Sequence, residues 1–177
     1  MGTIDTVYGL GDDALGYEFQ VAIGPIGFVT DGNGATLRVN TVEIPETSVG
    51  TYTVDYKSET MEKPNGKITT PKEFTIEYRL DKYYNVHKGF VAWNNAVVNP
   101  QTGGASLDSV SGVSLFRVPI IVSSGMTDLD GNFIATGKVI TFRGAFPKTV
   151  SSYSYDNSNA EPLVVSVIFS YLSKVEI

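Results

Sequence analysis

The sequence predicts a mainly β fold, a small β-barrel or β-sandwich with one flanking α-helix. Several segments place apolar side chains at every second position, which is the period of a strand with one buried face. Clusters of glycine, proline and asparagine separate these segments and favour turns between short strands. One further segment has the apolar spacing of a helix. Together these patterns indicate a single domain over residues 1–177.

The first strands are expected in the N-terminal part of the chain. Residues 1–15 are interpreted as an N-terminal arm, and alternating apolar residues then predict a strand over Tyr17–Ile23 that Gly24-Pro25 ends. The segment Asp31–Gly34 is a strong turn signal. It precedes a second expected strand over Thr36–Val42.

A long exposed hairpin is expected next. Tyr52, Val54 and Tyr56 alternate as in a strand, and the polar segment Lys57–Lys72 has Pro64-Asn65-Gly66 near its middle. This turn signal predicts that residues 57–72 form the exposed tip of the hairpin. The charged residues of the tip are Lys57, Glu59, Glu62, Lys63 and Lys67.

The return strand has the clearest alternation in the sequence. Its apolar face comprises Phe74, Ile76, Tyr78 and Leu80, and its polar face comprises Glu73, Thr75, Glu77 and Arg79. A strand of this kind buries one face and leaves the other toward water.

Helical spacing follows the return strand. Asn85 or Asp81 is the expected N-cap, and Asn99-Pro100 ends the helix. Residues 99–114 are rich in glycine and serine and are expected to form a surface loop. The helix face expected to pack on the core consists of Val86, Phe90, Trp93 and Val97.

The C-terminal part predicts three more strands. The first is expected over Leu115–Ser123, and a turn at Asp128–Asn132 leads into a return strand that Pro147 stops. The apolar segment Leu163–Leu172 is expected to be the final strand. Because this segment is apolar on both faces, we expect copies of the chain to cover it. The candidate residues of this terminal strand are Val165, Val167, Phe169 and Tyr171.

Composition restricts the function. Charged residues make up 18% of the chain, below the usual ~25%, which suits an assembly that hides much of its surface. The net charge of −6 and the absence of a Lys/Arg run argue against specific nucleic-acid binding. The sequence lacks cysteine and any apolar run long enough for a signal peptide or a membrane span. We therefore expect a protein made in the cytoplasm.

Catalytic and ligand-binding interpretations are less favoured. His87 is the only histidine, and the chain has no Gly-x-Ser-x-Gly motif, so no enzyme activity is expected. Asp128, Asp130 and Asn132 match part of a calcium loop, but the late glutamate is missing. A hairpin turn is favoured there and a bound metal stays open. No cofactor is expected, because glycine-rich segments lack the Lys-Ser/Thr of a phosphate loop.

The order of these elements resembles the tail tube proteins of contractile-tailed bacteriophages, and through them the inner-tube proteins of type VI secretion and contractile injection systems. The resemblance extends from about Tyr17 to Tyr171. The segments that carry it are Tyr17–Ile23, Val42–Pro45, Lys57–Lys72, Phe90–Trp93, Gly144–Pro147 and the apolar C-terminal strand.

The resemblance implies a structural subunit of the virion. Six copies would form a ring whose inner wall is a β-barrel, and rings would stack into a tube that conducts DNA without binding it specifically. The implied partners are the sheath, the baseplate and the tail terminator. Under this hypothesis the charged hairpin tip links rings, and Glu73, Thr75, Glu77 and Arg79 face the lumen. Two different functions stay open, a tube subunit of a non-phage injection system and a monomeric ligand- or carbohydrate-binding β-sandwich.

Overall fold

The computed structural model describes residues 19–24, 38–98, 100–104, 116–128, 130, 132–155 and 161–177. Four expectations lie outside these residues wholly or in large part. They are the N-terminal arm, the turn at Asp31–Gly34, most of the loop at 99–114, and the start of the strand expected at Leu115.

The described residues form nine strands and one helix. They are β1 (Phe19–Ile23), β2 (Val39–Glu43), β3 (Ser48–Tyr56), β4 (Glu59–Thr69), β5 (Glu73–Arg79), α1 (Asn85–Val97), β6 (Val118–Thr127), β7 (Phe133–Val150), β8 (Val164–Ser170) and β9 (Ser173–Glu176). This confirms the prediction of a mainly β fold with one helix on its flank.

The body is a single antiparallel sheet folded onto itself. Seven strands pair in the order β1-β6-β7-β8-β5-β2, with β9 also paired to β7, while β3 and β4 form a separate two-stranded sheet. The long strand β7 pairs with β6 and β9 in its first part and with β8 in its last part. It therefore belongs to both halves of the body and joins them.

Aromatic side chains fill the space between the two halves. The ring of Phe74 on β5 stacks on Phe142 of β7 with centroids 3.9 Å apart. Phe169 and Tyr171 extend this stack from β8 and its end. The pairing of β5 with β8 and the bend of β7 thus bring residues far apart in sequence into one core.

Helix α1 packs on this core as its spacing predicted. Val86, Phe90 and Trp93 are buried, and Val97 is partly buried. The indole Nε1 of Trp93 donates a hydrogen bond to the Phe116 carbonyl at 2.7 Å, which satisfies its polar atom inside the core.

Asp81 caps the helix from four residues before its first residue. Its carboxylate accepts hydrogen bonds from the backbone N–H of Val86 at 3.3 Å and of Tyr83 at 3.2 Å. Desolvation raises the pKa of Asp81, but hydrogen bonds from backbone N–H groups, including those of Asn85 and Val86, outweigh it and hold the pKa below its ordinary value. Of the two expected residues, Asp81 therefore bonds to the first turn from outside the helix. The N-cap position itself is occupied by Tyr84, whose side chain makes no cap hydrogen bond.

The expectation that Pro147 stops its strand is wrong. β7 continues through Pro147 to Val150, and the β7–β8 register shifts between Pro147 and Thr149. Asn94 of α1 covers this edge, because its side-chain amide donates to the Pro147 carbonyl at 2.8 Å. A proline is tolerated at such an interrupted, covered edge because little ladder hydrogen bonding depends on its missing N–H. The bend lies earlier, at Gly144, whose φ is +64°.

The expectation that the Leu163–Leu172 strand ends the fold uncovered is also wrong. β8 lies between β7 and β5 and pairs with both, and β9 follows it. Val165, Val167, Phe169 and Tyr171 are buried within the subunit. The second face of β8 consists of Val164, which is exposed, and of Ser166, Ile168 and Ser170, which are half-buried. This strand obtains its ladder from its own chain, so its apolar sequence reflects a central position.

The hairpin tip lies elsewhere than predicted. β3 turns into β4 at Lys57-Ser58, with Lys57 at a φ of 56°. Pro64-Asn65-Gly66 lies inside β4, next to the register shift opposite Gly50. A side chain at Gly50 would clash with Asn65, since an added Cβ would lie 2.6 Å from its amide nitrogen. The turn-forming residues therefore accommodate a bulge, and β4 carries most of the segment 57–72.

No helix among the described residues has the length and apolar character needed to cross a membrane.

The burial of Trp93 generates the first testable prediction. Trp93 is fully buried and hydrogen-bonded, so Trp93→Ala should lower the free energy of unfolding by about 3–5 kcal/mol through the cavity it leaves. Chemical denaturation followed by circular dichroism measures this loss. The exposed helix residue Asn95 serves as a control, since Asn95→Ala should change stability by less than about 0.5 kcal/mol. Equal stability of both variants would contradict this core assignment.

The β7–β9 ladder generates a pH prediction. Hydrogen bonds from Lys138 and Lys174 lower the pKa of Glu176 from its ordinary 4.5 to about 2. A depressed carboxylate pKa contributes stability that is complete above about pH 4.5 and fades as the pH falls toward 2. The stability gap between the parent and Glu176→Gln should therefore be wide at pH 6 and narrow near pH 2. Urea unfolding at both values tests this, and an unchanged gap would show that the pKa is not depressed.

Candidate assembly surfaces

The hairpin of β3 and β4, here called the arm (Ser48–Thr69), stands apart from the body. Among the strands that the structure describes, its two strands pair only with each other, and nearly all of its residues are exposed. An isolated two-stranded hairpin is at best marginally stable in water. The arm therefore has the form of an element that a second molecule completes.

The two faces of the arm differ in chemistry. Across the ladder Tyr52 pairs with Lys63, Val54 with Met61, and Tyr56 with Glu59. Because side chains alternate along a strand, these residues share one face. The opposite face carries Thr51, Thr53, Asp55, Thr60 and Glu62. One face is thus apolar with a charged margin, and the other is polar.

The apolar face of the arm is uncovered in the free subunit. Tyr52 and Met61 are each 50% exposed and Tyr56 is 65% exposed. Val49 and Ile68 are also exposed, but by the same alternation they lie at the base of the arm on the opposite face, with Thr51 and Pro64. A contiguous apolar patch of this kind marks a protein interaction site more often than it occurs by chance on a monomer.

The charged residues predicted for inter-ring contacts all lie on the arm. Lys57 is at the turn, Glu59 and Lys63 border the apolar face, and Glu62 lies on the polar face. Lys67 follows the bulge, where its backbone N–H donates to the Asn65 side chain at 2.9 Å. Exposed ion pairs contribute only about 0–1 kcal/mol each. The apolar residues between these charges are thus the stronger candidates for the binding affinity of the arm for a partner. The charged residues are candidates for setting the register in which the partner docks.

The polar face of β5 has the arrangement that the alternation predicted. Phe74, Ile76 and Tyr78 are buried, and Glu73, Thr75, Glu77 and Arg79 lie on the opposite face. Glu73 forms an ion pair with Lys148 of β7. The Thr41 hydroxyl of β2 donates to Glu77 Oε2 at 2.6 Å. Neighbouring strands therefore extend this face, with Ser166 and Ser170 of β8 beside Glu77 and Glu73. The apolar residues Ile168 and Val164 of β8 interrupt its polar character.

This polar surface carries charges of both signs. By register, Glu43 of β2 lies beside Thr75, which adds a third carboxylate to Glu73 and Glu77. Arg79 and Lys148 supply the positive charges. Three acidic and two basic side chains leave the surface weakly acidic rather than strongly charged.

Three strands of the body pair with a single neighbour among the described residues, and each therefore presents a free edge. One of them is β9, which pairs only with β7. β1 pairs with β6 alone, and β2 pairs with β5 alone. Unpaired backbone N–H and C=O groups at such edges can pair with a strand of another molecule. β2 lies beside the polar face of β5, so pairing across its edge would extend that face into the next subunit.

The remaining predicted positions have local roles. His87 is half-buried on α1, with its ring 5.2 Å from that of Tyr153. Asp128 uses its carboxylate inside the β6–β7 turn, where Oδ1 accepts the backbone N–H of Asp130 at 3.0 Å and of Asn132 at 2.7 Å. The turn expected at Asp128–Asn132 is therefore present.

Comparisons with known proteins identify the family and the fold. The model of a family described as "Phage tail tube protein" matches residues 18–175. No curated protein sequence matches the chain significantly. A chain in the sheath–tube complex of PVC, an extracellular contractile injection system, in its extended state is 15% identical, with a TM-score of 0.59 over 100% of this chain and 98% of that one.

Two further solved structures have a similar fold. A chain in the terminating cap of the anti-feeding prophage tube is 14% identical, with a TM-score of 0.61 over 94% of this chain and 92% of that one. A chain in the sheath/tube terminator of the PVC system is 14% identical, with a TM-score of 0.57 over 95% and 99%. At these identities the likeness establishes the shared fold.

The two faces of the arm generate a matched pair of variants. Val54→Lys places a charge on the apolar face, and Thr53→Lys places the same charge on the polar face one residue away. Because the arm lies outside the core, both variants should unfold within about 0.5 kcal/mol of the parent. Val54→Lys should raise the concentration needed for self-association at least tenfold, and Thr53→Lys should not. Sedimentation velocity over a concentration series measures this, and equal effects of both variants would exclude the apolar face.

Proposed function

The chain belongs to the phage tail tube protein family, and from this we propose that it is a structural subunit that self-assembles into stacked hexameric rings. These rings form the hollow inner tube of a contractile phage tail and conduct DNA into the host. The subunit is made in the host cytoplasm and resides in the virion. Its partners are its own copies, the contractile sheath, the baseplate and the tail terminator, and its role is structural rather than catalytic.

The observation that carries this proposal is the uncovered arm. A monomeric domain would leave the apolar residues of β3 and β4 in water, while a stack of identical subunits supplies each arm with a neighbouring surface. The free edge of β2 supports closure into a ring, because strand pairing between neighbours removes open sheet edges. The same observations disfavour the monomeric ligand-binding sandwich.

A tube subunit of a non-phage contractile injection system is the second candidate function. The observation that favours it is the likeness in fold to chains of the PVC system and the anti-feeding prophage. The two candidates share the assembled tube and differ in what passes through it. The contents of purified particles, DNA or protein, distinguish them.

Electron microscopy of the purified protein tests self-assembly directly. We expect rings or tubes at high concentration, either unaided or after addition of a preformed baseplate as a nucleus. A protein that stays at its monomer mass of 19.1 kDa under both conditions would refute the assignment.

The polar face of β5 is the proposed lumen wall, and its charge makes a prediction. Six copies of a weakly acidic surface repel phosphate, so wild-type tubes should not retain duplex DNA at low salt. Glu77→Lys converts the wall to net positive charge, and its tubes should retain DNA in a salt-dependent manner. Asp130→Lys makes the same charge change at the β6–β7 turn and should not. Co-sedimentation measures retention, and DNA bound equally by wild-type and both variants would contradict the lumen assignment.

A further inference from the structure

Both legs of the arm meet the same corner of the body. The first leg joins β2 to the arm and contains Pro45, and the second leg joins the arm to β5 and contains Pro71 and Lys72. The corner consists of residues Tyr171–Lys174, which are the connection between β8 and β9 (Tyr171-Leu172) and the first two residues of β9. Tyr171, at one end of this four-residue segment, contacts the second leg, and Lys174, at the other end, contacts the first leg.

Three side-chain hydrogen bonds fasten the legs to this corner. Lys174 Nζ donates to the Pro45 carbonyl at 3.0 Å. The Tyr171 hydroxyl donates to the Pro71 carbonyl at 2.5 Å. Lys72 Nζ donates in the opposite direction, to the Leu172 carbonyl at 3.2 Å. A backbone hydrogen bond from Tyr171 N–H to the Lys72 carbonyl at 3.0 Å completes the set.

Lys174 is the less exposed of the two lysines in this set. Its side chain is only 10% exposed, and its ammonium also pairs with Glu176 Oε1 at 2.8 Å. Burying a lysine is costly unless its charge is paired and its donors are used. Here two donors are used at once, one on the β9 carboxylate and one on the leg of the arm. The ammonium group of Lys174 thus links β9 of the body to the first leg of the arm.

The space around the legs shows why such a link matters. A cleft of about 470 Å³ adjoins both legs and is lined by residues including Ile44, Pro45 and Pro71. A second cleft of about 490 Å³ also adjoins them and is lined by residues including Thr70, Lys72 and Lys174. Because this open space adjoins the legs, the hydrogen bonds at the corner restrict the directions that the arm can take.

From these contacts we infer that Lys174, Tyr171 and Lys72 form a clasp that holds the arm in one direction before any partner is met, with Lys174 as its central positioning residue. A preorganised element loses less conformational freedom when it binds. The consequence for assembly rests on the proposed function, because it requires that the arm docks on another copy. The rigidity of the arm does not, since it is a property of the single subunit.

The decisive experiment measures the arm's direction in the monomer. The chain has no cysteine, so Ser58→Cys at the arm turn and Ala92→Cys on α1 give two unique spin-label sites. Both labels are placed in the Val54→Lys variant, at a concentration where sedimentation velocity shows a monomer. Double electron–electron resonance should give a narrow distance distribution in this parent and one at least twice as wide in Lys174→Met, which keeps the aliphatic stem but removes the charge and the donors. Lys174→Arg should restore the narrow distribution.

A second variant and a second readout separate the possible outcomes. Tyr171→Phe removes only the hydroxyl donor at the other leg and should broaden the distribution by itself. If Lys174→Met fails to fold, this variant decides the matter. In the chain that retains Val54 and can therefore assemble, Lys174→Met should also slow assembly at least tenfold. Unchanged distance distributions in Lys174→Met and Tyr171→Phe would overturn the clasp, whereas broad distributions in a chain that never assembles would leave the clasp intact and refute the proposed function.

Discussion

The separation of β3 and β4 from the body's sheet is the constraint on which the rest of the structure depends. The body closes its own core, with Phe74 against Phe142 and Trp93 hydrogen-bonded inside. The arm contributes no strand to the body's sheet, because among the described strands β3 and β4 pair only with each other, and its apolar face is exposed to water. The body of such a chain can fold by itself, while the apolar face of the arm still needs a partner to cover it.

The elements that the sequence predicted correctly are those whose periodicity is local. Alternation identified the buried and polar faces of β5, and the spacing of Val86, Phe90 and Trp93 identified the buried face of α1. The turn at the arm could not be found in this way. Pro64-Asn65-Gly66 has the stronger turn chemistry, but the pairing of β3 with β4 places it at a bulge, and Lys57 adopts the positive φ instead. Register depends on both strands together, and no local signal contains it.

The candidate assembly surfaces were predictable only in part. Charge drew attention to Lys57, Glu59, Glu62, Lys63 and Lys67, and the structure places all of them on the arm. The alternation of Tyr52, Val54 and Tyr56 indicated a strand face but could not show that this face is exposed in the subunit. The apolar segment around Val167 was expected to be completed by other copies of the chain, but β5 and β7 supply its hydrogen-bond ladder within the subunit. Whether an apolar strand is central or exposed is decided by tertiary pairing. The hydrogen bonds of the Lys174 clasp join residues 100 to 129 positions apart, and no sequence pattern reveals them.

Hydrogen–deuterium exchange of the free and the assembled protein tests the central claim most directly. Exchange protection reports local opening residue by residue. In the free subunit, the amides of β5 and β8 should be protected while those of β3 and β4 exchange rapidly. After assembly, protection should spread to β3 and β4 and leave the body's pattern unchanged. If the arm is already as protected as β8 in the monomer, or gains no protection in the assembled state, the arm is not the element that a neighbouring copy completes.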